Sequence, residues 1–487
     1  MKTIEEIKKI ANQGPFEANW KTLNHFEIPR WFKKAKFGIF IHWGLYSIPA
    51  FNNEWYSRNM YRENSEEYHH HIQTYGPHIE FGYKEFIPQF TAEKFDAKEW
   101  IQLFKEAGAT YFFPVAEHHD GFQMYQSELS NYNAVQMGPH RDILQELKEA
   151  GEKEGLVFCT SSHRAEHWFF MGHGKEFPSD VVEPMEKGDF YWPAQPEPDN
   201  QALQSTPYPT AEFLEDWLLR TVEIIDRYQP KVLYFDWWIQ HESFKEYLQL
   251  LAAYYYNCGY VWQEEVAICY KHDALMFGSG IVEIERGKFS NAQSFYWQSD
   301  TAIARNSWCY TETLDYKDVK EILYDLIEVV SKNGNLLLNV GPKGDGSIAE
   351  KDQTLLKKIG EWLKINGEAI YDSKVWRKSG EGPTQLVSGQ FQENRPVSYT
   401  PEDIRFTVSG ESIYAFLLAP AAGGKVLIKS LATSKNQDVP EFHGLIKEVK
   451  LLGAFDDVQW EITDEGLVII LPEIIDELPK VCKITIV

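Results

Sequence analysis

The sequence predicts an α/β protein, a (β/α)8-like TIM barrel followed by a C-terminal antiparallel β-sandwich. Three observations carry this reading. Short apolar runs at 37–44, 111–119 and 232–238 end in ionisable residues. Stretches with helical periodicity alternate with such runs as far as residue 370. Near Trp376 the pattern changes to short strands separated by turn residues. Parallel barrels build their sites from polar groups at the C-terminal ends of the strands.

Residues 31–44 give a strand ending in His42. The stretch 51–90 is aromatic and rich in histidine without clear periodicity, so it reads as a long loop over the barrel mouth. Trp100, Ile101, Phe104 and Ala107 recur at helical spacing. A strand at 110–116 leads to His118 and His119, and a helix at 141–151 closes on glycine. A third strand at 156–160 leads to Ser161-Ser162-His163-Arg164. Residues 171–210, rich in Pro, Asp, Glu and Gln, read as an insertion loop. A helix at 211–228 precedes the fourth strand, 232–235, and a helix at 244–256 precedes a strand at 266–270. The barrel ends with a helix at 319–331, a buried strand at 335–340 and a helix at 351–370. After a Gly/Ser/Pro stretch at 378–402, runs at 403–408, 412–418, 425–428, 466–471 and 483–487 suggest the sandwich. The expected domains are therefore 1–375 and 376–487. The barrel's excess over the typical ~250 residues goes into loops.

A chain of 487 residues, 43% hydrophobic and 15% aromatic, can bury more than one core. Its formal net charge of −24 argues against nucleic acid or an anionic membrane as partner. That charge fits a soluble protein with neutral small-molecule substrates. The five cysteines are odd in number and lack metal-type CxxC spacing, so a reducing compartment is expected. MKTIEEIKKIANQG lacks the apolar core of about 7–15 residues that marks a signal peptide. No run reaches the roughly 18 apolar residues of a membrane span. The expectation is a cytoplasmic protein, or a secreted or periplasmic one if a signal has been removed.

Asp236 follows four apolar residues and is flanked by Trp237 and Trp238. Burial would raise its pKa unless it is paired or hydrogen-bonded, and the bland alternative is a capping or ion-paired aspartate. His42, His118 and His119 offer donors and acceptors suited to sugar hydroxyls. They could equally be ligands in a metal-dependent hydrolase with Asp236. A glycosidase needs a second carboxyl group. Glu283 and Glu285 are the candidates, and periodicity cannot choose between residues two apart on a strand. Glu54, beside Trp55, is a further carboxylate. Trp43, Trp55, Trp168, Trp237, Trp297 and Trp308 supply aromatic planes of the kind that line ligand pockets, although each alone is also an ordinary core residue.

Together these residues resemble the α-L-fucosidases of glycoside hydrolase family 29. The resemblance runs through WFKKAKFGIFIHWGLYSIPAFNNEWY, AEHHDGF, VLYFDWW, SWCY at 307–310 and SKNGNLLLNVGPKGDG at 331–346. It implies a retaining exo-hydrolase of terminal α-L-fucose on a fucosylated oligosaccharide or glycoconjugate, with no cofactor and no metal. Asp236 matches the family nucleophile. His42, His118 and His119 match residues that bind fucose hydroxyls. Trp308 matches the wall around the C6 methyl group, and Glu54 and Trp55 match active-site residues. Lys271 stands where several members have an arginine. Gln298 stands where some members have the acid/base glutamate, and the 283–286 stretch matches the region that supplies the acid/base in other members, so the resemblance implies Glu283 or Glu285 for that role. Rival readings are a galactoside-like exo-glycosidase and a carbohydrate-binding protein without catalysis. Linkage preference and oligomeric state stay open.

Overall fold

A computed structural model describes residues 2–393, 395, 397–420, 424–434, 440–472 and 477–487. Nine parallel segments form the first sheet: β1 (Phe37–Ile41), β2 (Tyr111–Glu117), β3 (Val157–Phe158), β4 (Thr160–Ser162), β5 (Val232–Phe235), β6 (Ala267–Tyr270), β7 (Ile281–Glu285), β8 (Trp297–Ala302) and β9 (Gly334–Val340). Both β3 and β4 pair with β2, and they form one stave interrupted at Cys159. Pairing of β1 with both β2 and β9 closes the sheet, giving an eight-staved barrel. Phe40, Phe113, Tyr234 and Leu337 belong to the buried cluster inside it.

The helices obey the apolar spacing read from the sequence. In Ala97–Glu106, Trp100, Ile101 and Phe104 are buried while Lys98, Glu99 and Lys105 are exposed. Asp96 caps this helix by accepting from the Lys98 and Glu99 amides. Boundaries differ in several places. Helix Arg30–Ala35 precedes β1, and the helix expected at 244–256 runs over Lys245–Trp262. The predicted loop 51–90 carries helices Tyr56–Asn59 and Glu66–Tyr75 and the 3-10 turn Tyr83–Gln89. Elements this short show too few turns for a periodic signal, and Tyr56, Tyr75, Phe81 and Phe86 pack there by ring contacts.

Beyond the barrel, β10 (Lys374–Glu381), β11 (Ile404–Ser409), β12 (Ser412–Leu417), β13 (Lys425–Ile428), β14 (Ile446–Leu451), β15 (Gln459–Thr463), β16 (Gly466–Ile470) and β17 (Lys480–Ile486) are antiparallel. They form a five-stranded sheet, β10-β11-β12-β17-β14, and a three-stranded sheet, β13-β16-β15. One apolar core joins Phe406 and Ile484 of the first sheet to Val426 and Ile469 of the second. No helix among the described residues is long and apolar enough to cross a membrane.

Candidate active site

A cavity of about 520 Å³ opens at the C-terminal ends of the barrel strands. His42, Glu54, Trp55, His118, His119, Asp236, Lys271, Glu285 and Trp308 all line it. Glu283 does not. Both glutamates lie on β7 and both are buried, but at different depths of the barrel. Glu283 accepts from the Gln298 amide at 2.9 Å, and Tyr111 donates to that same amide's oxygen at 2.8 Å. Burial, with Asp300 nearby, raises the Glu283 carboxyl well above its ordinary range.

Asp236 is the first residue past β5, so strand geometry delivers its carboxylate to the cavity floor. The Lys271 ammonium donates to Oδ1 at 2.9 Å and the His163 Nδ1–H to Oδ2 at 3.0 Å. His119 Nε2 lies 3.4 Å from Oδ2. Burial works to raise the Asp236 pKa. Lys271, His119 and His163 outweigh it and hold the group well below the usual carboxylate range. Lys271 also reaches Glu285 Oε2 at 2.5 Å, and Trp237 Nε1 donates to that oxygen at 3.0 Å. The two legs of the lysine bridge add up to 5.4 Å, so Asp236 Oδ1 and Glu285 Oε2 are at most that far apart. Lys271 therefore bridges the two carboxyl groups.

The histidines occupy distinct protonation states. His163 is pushed down to about 4 by burial, against the pull of Asp236. A carboxylate only accepts, so Nδ1 carries the proton and Nε2 accepts from the Ser161 hydroxyl at 3.0 Å. His42 is lowered by burial and by His163. Its Nδ1 faces the Asn339 amide oxygen at 2.6 Å, while the Asn339 NH2 donates to the Trp308 carbonyl. Nε2 of His42 is thereby an acceptor. His118 is lowered by burial and by His119, and its Nδ1 has no hydrogen-bond partner among the described residues. His119 is the exception. Burial opposes its charge, but Glu166 at 3.8 Å and Asp236 raise it to about 9.

Adjacent histidines reach one cavity because β2 ends at Glu117 and the chain then turns. Glu117 is clamped by Arg164 at 2.6 Å and Arg220 at 3.2 Å, and both arginines also hold Asp216. Gly121 closes the turn at φ +82°, where an added Cβ would strike the His167 ring. Glu54 accepts from the Trp308 amide at 3.0 Å and so fixes the Ser307–Cys309 turn, and burial raises its pKa. Trp308 lies 5.2 Å from the His42 ring, with the Arg286 guanidinium 4.3 Å from its own ring.

His42, His118 and His163 bring ring nitrogens within 4.8 Å of one another, as His119, His163 and Asp236 do with their ligand atoms. His163 belongs to both sets and uses both nitrogens in hydrogen bonds to Asp236 and Ser161. Lining residues not singled out by sequence include His163, Tyr234, Asp300 and Phe391. Asp300 accepts from the Tyr234 hydroxyl at 2.7 Å, and burial, with Glu285 nearby, raises it to about 7 although Lys271 opposes. The barrel-end rule could have found His163, which follows β4 directly. Asp300 escaped because β8 reads Trp-Gln-Ser-Asp-Thr-Ala, a polar strand without an apolar run.

A carboxylate pair flanked by imidazoles and tryptophans at a barrel mouth is the equipment of a glycosidase. Residues 3–368 match the alpha-L-fucosidase family, and residues 398–485 match the alpha-L-fucosidase C-terminal domain. The chain belongs to the α-L-fucosidase family. It is thus a glycoside hydrolase of the α-L-fucosidase type. Among its relatives, the human tissue α-L-fucosidase is 29% identical over 478 residues, covering 96% of this chain and 91% of that protein. The bovine tissue α-L-fucosidase is 30% identical over 484 residues, covering 94% and 88%. The crystal structure of the Thermotoga maritima α-fucosidase in complex with fucose aligns with TM-score 0.73 and 29% identity, over 96% of this chain and 100% of that one.

Proposed function

We propose that this α-L-fucosidase is a retaining, exo-acting enzyme that removes terminal α-L-fucose from a glycan or glycoconjugate by double displacement. One observation carries the reading. Asp236 and Glu285 face one cavity, with oxygens held no more than 5.4 Å apart by a single ammonium. Retaining glycosidases keep their two carboxyl groups about 5–5.5 Å apart, whereas inverting ones leave room for a water.

Asp236 attacks the anomeric carbon, and the glycosidic C–O bond breaks as its oxygen takes the proton of Glu285. A covalent fucosyl-enzyme results. Water then loses a proton to Glu285 and attacks the same carbon, and the bond to Asp236 breaks. Two inversions leave the configuration retained. Low proton affinity at Asp236 favours the ionised nucleophile. His42 Nε2 accepts from one sugar hydroxyl, while charged His119 donates from Nδ1 to the His163 carbonyl and directs its Nε2–H towards Asp236. Trp308 and Trp55 offer apolar surface to the ring's C–H faces and methyl group. Glu285 lines the cavity and Glu283 does not, which favours Glu285 as the acid/base.

The test is fucose release from an aryl α-L-fucoside by wild type and Asp236→Gly, with the aryl galactoside in parallel. Release from the fucoside by wild type alone supports the proposal. Equal turnover of the galactoside removes the sugar assignment, and an active Asp236→Gly removes the nucleophile.

A further inference from the structure

The segment between β10 and β11 of the C-terminal sheet crosses the active-site mouth. Gly389 pairs antiparallel with Lys288, its amide donating to the Lys288 carbonyl at 3.1 Å. Ser388 Oγ accepts from the Ser290 amide at 2.7 Å. The Gln390 side chain accepts from the Glu285 amide and donates to the Glu283 carbonyl at 3.3 Å. The Phe391 amide donates to the Glu285 carbonyl at 2.9 Å, and the Glu393 amide to the Arg286 carbonyl at 3.0 Å. The Glu393 carboxylate is itself buried between Arg286 at 2.6 Å and Lys317 at 2.9 Å. The seat depends on Gly287, where a Cβ would lie 1.9 Å from the Gly389 carbonyl oxygen.

This strap presents one aromatic residue to the cavity. Phe391 sits at φ +55°, a left-handed conformation costly for a bulky residue, although its neighbours are firmly bonded. Its ring runs parallel to Trp237, 9° between planes and 5.9 Å between centroids. Trp237 in turn donates to Glu285. Phe391 lines the same cavity as Asp236 yet stays 49% exposed. The ring is therefore packed against Trp237 while about half of the residue stays open to solvent at the cavity. The ring adds to the Trp237 surface beside Glu285, the proposed proton donor, where a leaving group departs.

We infer that Phe391, held by the 388–393 strap, is the platform of a leaving-group subsite that binds a pyranose or aryl ring by stacking with Trp237. The inference rests on the fucosidase reading above. It makes this β10–β11 connection a specificity element, since any ring attached to the fucosyl oxygen meets a surface that the barrel alone does not supply. Side-chain planarity matters there, and charge does not.

The experiment compares α-L-fucosyl fluoride, whose leaving group has no ring, with a fucosyl-pyranose disaccharide. In Phe391→Ala the ratio of kcat/KM for the fluoride to that for the disaccharide rises about tenfold, equivalent to about 1.4 kcal/mol. The change appears in KM for the disaccharide, and Phe391→Trp restores the wild-type ratio. A ratio unchanged in Phe391→Ala overturns the platform and leaves the fucosidase reading intact. Equal losses on both substrates overturn it too, because they mark a structural role. A wild type inactive on both substrates overturns the fucosidase reading and the subsite together.

Discussion

Lys271 is the residue on which the two carboxylates depend, and its removal has a worked consequence. Lys271→Met replaces a buried ammonium 2.9 Å from Asp236 and 2.5 Å from Glu285 with an apolar chain of similar length. Coulomb's law at an effective dielectric of about 20 gives roughly 6 kcal/mol for the 2.9 Å pair. Water entering the vacated site reduces that figure, and one adjacent opposite charge is generally worth about 1–3 pKa units. The Asp236 pKa, held low chiefly by Lys271 against burial, should rise by that amount. The nucleophile must be ionised, so the acid limb of kcat/KM moves to higher pH by about 1–3 units. The assay is a pH profile of kcat/KM on an aryl α-L-fucoside. The loss should be largest at acidic pH and shrink towards pH 8. Breaking a buried pair also costs stability, about 3–5 kcal/mol. Lys271→Arg keeps the charge and serves as the folded control. A loss equal at every pH, with the acid limb unmoved, would refute the electrostatic role assigned to Lys271.

Glu285→Ala should slow disaccharides far more than fucosyl fluoride, and azide should restore turnover by forming the α-fucosyl azide. Glu283→Gln should keep the wild-type dependence on leaving group, and the reverse pattern would exchange the two assignments. Buried neutral imidazoles should make the fold acid-sensitive. An unfolded histidine titrates near 6.5, while His163 is held at about 4. Between those values the unfolded chain binds the extra proton. The His163 contribution is therefore full above about pH 6.5 and falls by about 3 kcal/mol as pH drops through 4. Thermal melts at pH 7 and 4.5 should show the loss, and His163→Asn should shrink it; an equal drop in both proteins would exclude His163 as the source. Gly287→Ala should unseat the strap at a cost of about 1–3 kcal/mol. It should reproduce the Phe391→Ala substrate ratio, and an unchanged ratio would detach the strap from specificity.

Much of this site could be read from the sequence because barrels put chemistry at strand ends. His42, His118, His119 and Asp236 each follow an apolar strand, and all four meet in one cavity. Lys271 follows β6 in the same way. The choice between Glu283 and Glu285 could not be made, because both share a strand face and only their depth in the barrel differs. Asp300 was hidden by the polar composition of β8, whose side chains are buried among hydrogen-bonding partners. Phe391 lay in a Gly/Ser/Pro stretch that reads as a linker, and its place at the mouth comes from pairings across about a hundred residues. Local pattern carries no trace of such distant contacts. The short helices within 51–90 were missed for a related reason, since ring packing rather than periodicity fixes them.

The most direct measurement is to treat the enzyme with 2-deoxy-2-fluoro-α-L-fucosyl fluoride and map the modified peptide by mass spectrometry. The electron-withdrawing fluorine at C2 slows breakdown of the fucosyl-enzyme, while the fluoride leaving group still allows it to form. Double displacement through Asp236 predicts time-dependent inactivation and one fluorofucosyl group on the peptide carrying Asp236. A label on another carboxylate, or inhibition with no covalent adduct, would contradict it.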